Sequence, residues 1–404
     1  MGATRQLGVV AASGLVALAA CGPEVSVFSG SGGAGAGTTG TTSTTTTSTS
    51  TTTSTSTSTS TSSQGGGGSG GACPSGPSTD LDGDGFTPSD GDCDDCDALV
   101  SPAAFDVPGN GVDDDCSSQV DDAPATCDAG LAIDDPDPLA AAKAIDLCDT
   151  TTEQSDLPGV ISAAYVRANG GPPVPPAEQA GILADFGTVL GPEWGARMLG
   201  LSTGRARDAT DPGACGSSNC TALGQGVAPA GFPQAAPGCP AASGIHDDMA
   251  LELRVRAPSN ATGFGFDLDY HSFEFDFSAQ CTSFLDQFVA LVAPAPVGAV
   301  NGNVCFDATT LPPCAQFVPE QVCATCVLGA GELAGTGFDL WAQNGRGGAT
   351  GWLHTTSPTA PGDVFTVRLA IWDGSDGMFD STVLVDHFQW TAGAAPAMQT
   401  VPIP

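Results

Sequence analysis

Positive charge is scarce in this chain of 404 residues: 10 Lys and Arg stand against 45 Asp and Glu, a formal net charge of -35. Nucleic acids and anionic lipid surfaces both require clustered Lys and Arg, so both are excluded as partners and cations become the natural counter-species. Long apolar runs are missing too. The run that begins at Leu7 stops at Ala20, short of the ~20 residues a helix needs to cross about 30 Å of hydrocarbon, so it reads as an export signal. Zinc-type ligand sets are equally thin. Cys323-Ala-Thr-Cys326 and Cys93-Asp-Asp-Cys96 lack a second CxxC or a His pair to complete four ligands, and they read as structural bridges.

What the chain does have is concentrated between Asp80 and Asp122, where fourteen aspartates occur with no Glu, Lys, Arg or His. Carboxylates held ~4 Å apart repel by roughly 1 kcal/mol per pair in water and by about 4 at the effective dielectric of a protein surface. Such a segment needs a cation to close. Asp80, Asp82 and Asp84 fall at positions 1, 3 and 5 of a calcium loop, Gly85 takes the turn at 6, and the carbonyl of Phe86 is the expected seventh ligand. Position 12 is Gly91 rather than Glu, and no helical pattern flanks the run, which argues against an EF-hand. Asp90, Asp92 and Asp95 are therefore expected to complete the shell, with Asp113 and Asp115 further on. All-oxygen donors suit calcium; copper, the alternative, prefers nitrogen or sulfur. A solvated acidic spacer is the plain alternative.

Four stretches follow from composition: a signal at 1–20, a Gly/Ser/Thr-rich tether at 21–72, an Asp/Cys-rich metal module at 73–127, and a large domain at 128–404. The tether includes an unbroken Thr/Ser run from Thr41 to Ser63 and has too few apolar side chains to offset the cost of ordering. Glycosylation of that run rests on composition alone. Of 15 cysteines, setting Cys21 aside leaves 14, an even number that fits disulfides in an oxidising compartment. Cys93 with Cys116 and Cys215 with Cys220 are the preferred pairs. Cys96 needs another partner, with Cys73 and Cys127 as the choices.

In the large domain a short helix is expected around Pro138 to Cys148, then loop. After His246 the pattern turns to period two: Leu251, Leu253, Val255; Phe264, Phe266, Leu268, Tyr270, continuing through Phe273, Phe275 and Phe277; Phe288 to Val292; Phe365, Val367, Leu369, Ile371; Val383, Val385, Phe388, Trp390. Each reads as a half-buried strand. Antiparallel strands separated by Gly/Pro loops predict a mainly β, jelly-roll-like antiparallel sandwich.

Three resemblances add to this reading. Leu18-Ala19-Ala20-Cys21 resembles the lipobox of bacterial lipoproteins, which implies cleavage before Cys21 and its acylation; Gly22 rather than Asp at the next position implies an outer membrane. The order Asp80 to Phe86, Gly91-Asp92-Cys93-Asp94-Asp95, Pro108 to Gly111 and Asp113 to Cys116 resembles the metal-binding-motif repeat of bacterial surface proteins, a family named for copper and similar in logic to thrombospondin type 3 calcium repeats. Cys96 and Ser117 depart from it. The large domain is similar to the choice-of-anchor L domain over roughly residues 130 to 391. That likeness is carried by Gly200 to Gly204, Asp248 to Leu253 leading into Phe264 to Phe277, Asp286-Gln287-Phe288, and Leu369 to Asp373 with Asp376 and Phe379 to Leu384. Ser278-Ala279-Gln280-Cys281 stands where that family shows Ser-Glu-Glu-Tyr. The resemblance implies surface display, not a chemistry.

These observations lead to a calcium-stabilised lipoprotein at the cell surface, held in the outer membrane by the Cys21 lipid, whose sandwich serves adhesion or binds a glycan or surface protein. A structural envelope component or a copper scavenger is the alternative. An enzyme is not expected. Gly200-Leu-Ser202-Thr-Gly204 matches the G-x-S-x-G of hydrolases, but no amphipathic helix follows and the domain is all β. Asp373, Asp376 and Asp380 form either a second calcium loop or an Asp-stabilised turn.

Overall fold

The computed structural model describes residues 76–172, 178–221, 223–275, 281–314, 331–339 and 347–403. Cys21, Cys73, Phe277, Cys323, Cys326 and the residues at 1–75 lie outside them.

Two antiparallel sheets carry the domain. One has the order β1 (Gly159–Val166), β4 (Ile245–Arg256), β9 (Val364–Gly374), β6 (Gln287–Ala293). The other runs β11 (Gln399–Pro402), β8 (Leu353–Pro358), β5 (Ala261–Ser272), β10 (Ser381–Ala392), β3 (Met198–Ser202), β2 (Ala180–Leu183), with β7 (Gly348–Ala349) beside β5. From β4 to β6 and from β8 to β10, successive strands alternate between the sheets, as in a jelly roll. The core lies where the two inner faces meet: Leu251, Leu253 and Val255 of β4 and Phe365, Val367, Leu369 and Ile371 of β9 oppose Phe264, Phe266, Leu268 and Tyr270 of β5 with Val383 and Val385 of β10. Phe264 stacks on Phe365 and Phe388, with ring centroids 5.3 Å apart in each pair. On the outer face of the first sheet, Glu252 sits directly opposite Arg368 and accepts its Nε at 2.7 Å.

Only the inner-face half of the expected pattern describes β5 and β10. Asp267, Asp269 and His271, which should have been solvated, are 3%, 0% and 0% exposed. A second layer covers them: Phe186, Leu190, Leu333 and Phe338 pack with Met198, Phe273 and Leu384 on that outer face. β5 ends at Ser272, so Phe273 and Phe275 follow it as buried loop residues. Strands β1, β2, β3, β7, β8 and β11 are additions to the expected set.

The helix α1 is shorter than expected, Pro138–Lys143. Asp137 caps it by accepting the N–H of Leu139 at 3.0 Å, and Pro138 occupies the first turn, where no N–H is needed. Asp146, at φ 71°, cannot continue a right-handed helix. Among the described residues, no helix is long and apolar enough to cross a membrane.

The segment from Gly76 to Cys127 is irregular and joins the domain at the β4–β5 turn. Asn260 accepts the N–H of Phe105 at 3.0 Å and donates to its carbonyl at 2.8 Å, while Ser259 N donates to Ala103 O at 2.8 Å. Val100, Ala103 and Ala104 are buried beside that contact. Cys93 pairs with Cys116, Cys127 with Cys148, Cys215 with Cys220 and Cys239 with Cys281. Cys127 is therefore not the partner of Cys96, which is disulfide-bonded as well.

Candidate metal centres

The aspartate-rich segment folds by side chains capping its own backbone. Asp80 accepts the N–H groups of Gly83 at 2.6 Å and Gly85 at 3.2 Å; Asp82 accepts that of Asp84 at 3.2 Å; Asp84 that of Phe86 at 2.8 Å; Asp92 that of Asp94 at 2.9 Å. Asp95 reaches back to the N–H of Leu81 at 2.8 Å and so closes the loop. Gly83, Gly85 and Gly91 adopt φ of 85°, 100° and 105°, values that side chains resist.

This capping leaves a residue of unmet bonding. Asp82, Asp84, Asp92 and Asp95 each use Oδ1 for the backbone and keep Oδ2 buried with no hydrogen-bond partner. Ligand atoms of Asp80, Asp82 and Asp95 lie within 4.8 Å of one another. Burial, followed by the charges of Asp84, Asp80 and Asp95, raises the pKa of Asp82; that of Asp92 is raised by burial and by the charges of Asp84, Asp82 and Asp95. Buried carboxylate oxygens without donors are costly unless a cation meets them. The donor set fits a hard divalent ion of calcium type. Phe86 is half-buried at the seventh loop position. Asp90 stands outside the group, exposed and bound to the Thr87 hydroxyl at 2.6 Å.

Asp113 and Asp115 belong to a separate group. They converge with Asp106, again with ligand atoms within 4.8 Å, and Asp113 Oδ1 is buried without a partner. Asp106 also accepts the N–H groups of Asp114 at 2.9 Å and Asp122 at 2.6 Å, anchoring both arms of this loop. Sequence reasoning missed Asp106. Its signal is the Pro108-Gly109-Asn110-Gly111 reversal, with Gly109 and Gly111 at φ 81° and 77°, which folds Asp106 back toward Asp113. The Cys93–Cys116 bridge ties the two groups together.

Two further constellations were not read from the sequence. Asp269, His271 and Glu332 bring ligand atoms within 4.8 Å of one another and are all buried. Burial pushes the imidazole of His271 down to about 3, so it is neutral, and the rings of Phe186 and Phe338 flank it at 5.2 and 5.6 Å. On the same face, Asp267 accepts from or pairs with two imidazoles, His354 Nδ1 at 2.5 Å and His387 Nδ1 at 2.9 Å. Burial alone would raise Asp267, but these two hydrogen bonds hold it below the usual carboxylate range. His387 sits at φ 51° in a β10 bulge and stacks on Trp194, centroids 5.8 Å apart.

Ser202 does not form a nucleophile elbow. It lies on β3, fully buried, donating to Ser381 O at 3.0 Å and accepting from Gly204 N at 3.0 Å and the Thr382 hydroxyl at 2.9 Å. Comparison with known proteins finds no protein-family model, no curated protein and no solved structure that matches this chain.

Proposed function

We propose that this chain is a calcium-stabilised surface lipoprotein whose β-sandwich binds a glycan or a surface protein. The observation that carries the calcium reading is the set of four buried, unpartnered carboxylate oxygens on Asp82, Asp84, Asp92 and Asp95. Calcium is favoured over copper because the segment contains no histidine and Cys93, Cys96 and Cys116 are committed to disulfides, which leaves no soft donor there. Export is supported by those bridges, and lipid attachment by the Leu18-Ala19-Ala20-Cys21 sequence. The likeness to the metal-binding-motif repeat and to the choice-of-anchor L domain belongs to the same proposal.

Competition titration with calcium and copper tests the metal. Calcium binding with a millimolar constant is the expected result; submicromolar copper binding with indifference to calcium favours a scavenger and contradicts the proposal. Mass spectrometry of the N-terminus of the exported protein is expected to show acylated Cys21. Binding is tested on a glycan array and against cell-surface extracts in calcium, and silence in both removes adhesion from the account.

A further inference from the structure

On the outer face of the second sheet, β5 carries Asp269 and His271 two residues apart and therefore on the same side of the strand. The loop at 331–339 brings Glu332 to them. That loop is fixed in place: Thr188 N donates to Ala334 O at 2.8 Å, Ala209 N donates to Gly335 O at 2.9 Å, and Leu333 is buried in a cluster with Phe186, Phe273 and Phe338. The three side chains belong to residues that are 0%, 0% and 2% exposed, and one ligand atom from each lies within 4.8 Å of the others.

His271 sets this group apart from a cluster of acids. A buried imidazole has two ring nitrogens to satisfy, by donating from one and accepting at the other or by donating from both. Neither Nδ1 nor Nε2 of His271 has a hydrogen-bond partner, and Oε1 of Glu332 is buried without one as well. Unmet polar atoms at this depth are costly. The rings of Phe186 and Phe338, centred 5.2 and 5.6 Å away, offer neither nitrogen a conventional hydrogen bond. His271 Nδ1 and Asp269 Oδ1 stand 3.7 Å apart, too far for a hydrogen bond. Two atoms bound to one zinc ion at about 2.0–2.2 Å in a tetrahedron are about 3.4 Å apart, so that spacing suits a shared ion. The Thr350 hydroxyl donates to Asp269 Oδ1 at 3.4 Å, the kind of outer support that metal-binding carboxylates receive.

We propose that Asp269, His271 and Glu332 hold a divalent transition-metal ion of zinc type, which pins the 331–339 loop to β5. An imidazole nitrogen beside two carboxylates is a donor set that zinc and its first-row neighbours take, whereas calcium takes oxygen alone. Among the described residues, no other convergent group contains a histidine. Asp373, Asp376 and Asp380 do not form such a group; Asp376 instead accepts Met378 N at 3.2 Å in an Asp-stabilised turn. The zinc-type site shares no residue with the aspartate-rich segment and does not depend on that segment binding calcium.

The test uses the full chain with its disulfides intact, stripped of metal by a chelator and then equilibrated with zinc in excess calcium, which competes for the aspartate-rich segment. The expected result is one zinc per chain retained through gel filtration, with X-ray absorption at the zinc edge showing one imidazole among oxygen ligands. Zinc affinity should fall in E332Q and in H271Q by more than the roughly 10–100-fold that loss of an outer hydrogen-bond partner costs a metal site, and H387Q should bind as the wild type does. No retained zinc, or wild-type affinity in E332Q and H271Q, would overturn the proposal. A zinc edge with two imidazoles and binding lost in H387Q would overturn it too, by placing the ion on the His354 and His387 pair. E332Q, on the loop, supplies the affinity readout if circular dichroism shows that H271Q does not fold, and the absorption spectrum needs no variant.

Discussion

Asp92 shows how one residue carries both structure and binding. One oxygen holds the N–H of Asp94, and the other is buried among Asp82, Asp84 and Asp95. Asp92→Asn keeps the turn and removes a charge from the shell, so calcium affinity should fall by about tenfold or more, roughly 1.4 kcal/mol per factor of ten. Isothermal titration of the variant checks this, and an unchanged constant contradicts it. Tyr270 makes a different kind of demand. Its buried hydroxyl sits 3.0 Å from Ser381 Oγ and 3.2 Å from Asp286 O, so Tyr270→Phe should cost about 1–2 kcal/mol in denaturant unfolding at saturating calcium. At this scale the sequence was informative wherever spacing alone decides a loop, as from Asp80 to Asp95. It was silent on Asp106, which a chain reversal brings to Asp113 and Asp115, and on Glu332, which a distant loop brings to Asp269 and His271.

Among the elements, β5 is central to the second sheet, paired with β8 and β10, and its inner face supplies Phe264, Phe266, Leu268 and Tyr270. Phe264→Ala removes a ring stacked on two others and should cost about 3–5 kcal/mol; thermal unfolding measures it. The inner-face alternation made β4, β5, β9 and β10 legible in the sequence. Strands β1, β2 and β3 give no such alternation: β1 and β2 carry Gly and Ala, and β3 is buried on both faces. Burial of the outer face of β5 was hidden for another reason, since distant loops cover it. One consequence is a pH dependence centred on the β10 bulge. Burial pushes Asp386 up to about 7 and Asp146 up to about 6, while His387 is raised chiefly by its hydrogen bond to Asp267. The folded chain therefore keeps protons that the unfolded chain has already released, so the stability these groups add is present in mild acid and lost as pH rises through 6 and 7. Asp267, lowered, acts oppositely and loses its contribution only in strong acid. In chelator the melting temperature should fall from pH 5 to pH 8, and Asp386→Asn should flatten that slope; a rise over the same range contradicts the assignment.

For the molecule as a whole, a net charge of -35 is a standing cost to compactness that divalent ions relieve. The disulfides hold the sandwich and its edges, including Cys127–Cys148 and Cys239–Cys281. The aspartate-rich segment is braced internally by the Cys93–Cys116 bridge and joined to the domain by the Cys127–Cys148 bridge and the contacts of Asn260 with Phe105 and of Ser259 with Ala103, with few apolar residues buried beside them. Chelation should therefore open the segment from 73 to 127 to proteases while the sandwich survives, because ion binding and folding are coupled in such a segment. The most direct measurement is calcium titration calorimetry on the metal-stripped full chain, followed by limited proteolysis of the same samples. The account predicts saturable binding in the range of about 10⁻⁴–10⁻³ M, with protection of the 73–127 segment rising in step with saturation. No heat up to several times that range, together with identical cleavage in calcium and in chelator, would contradict it.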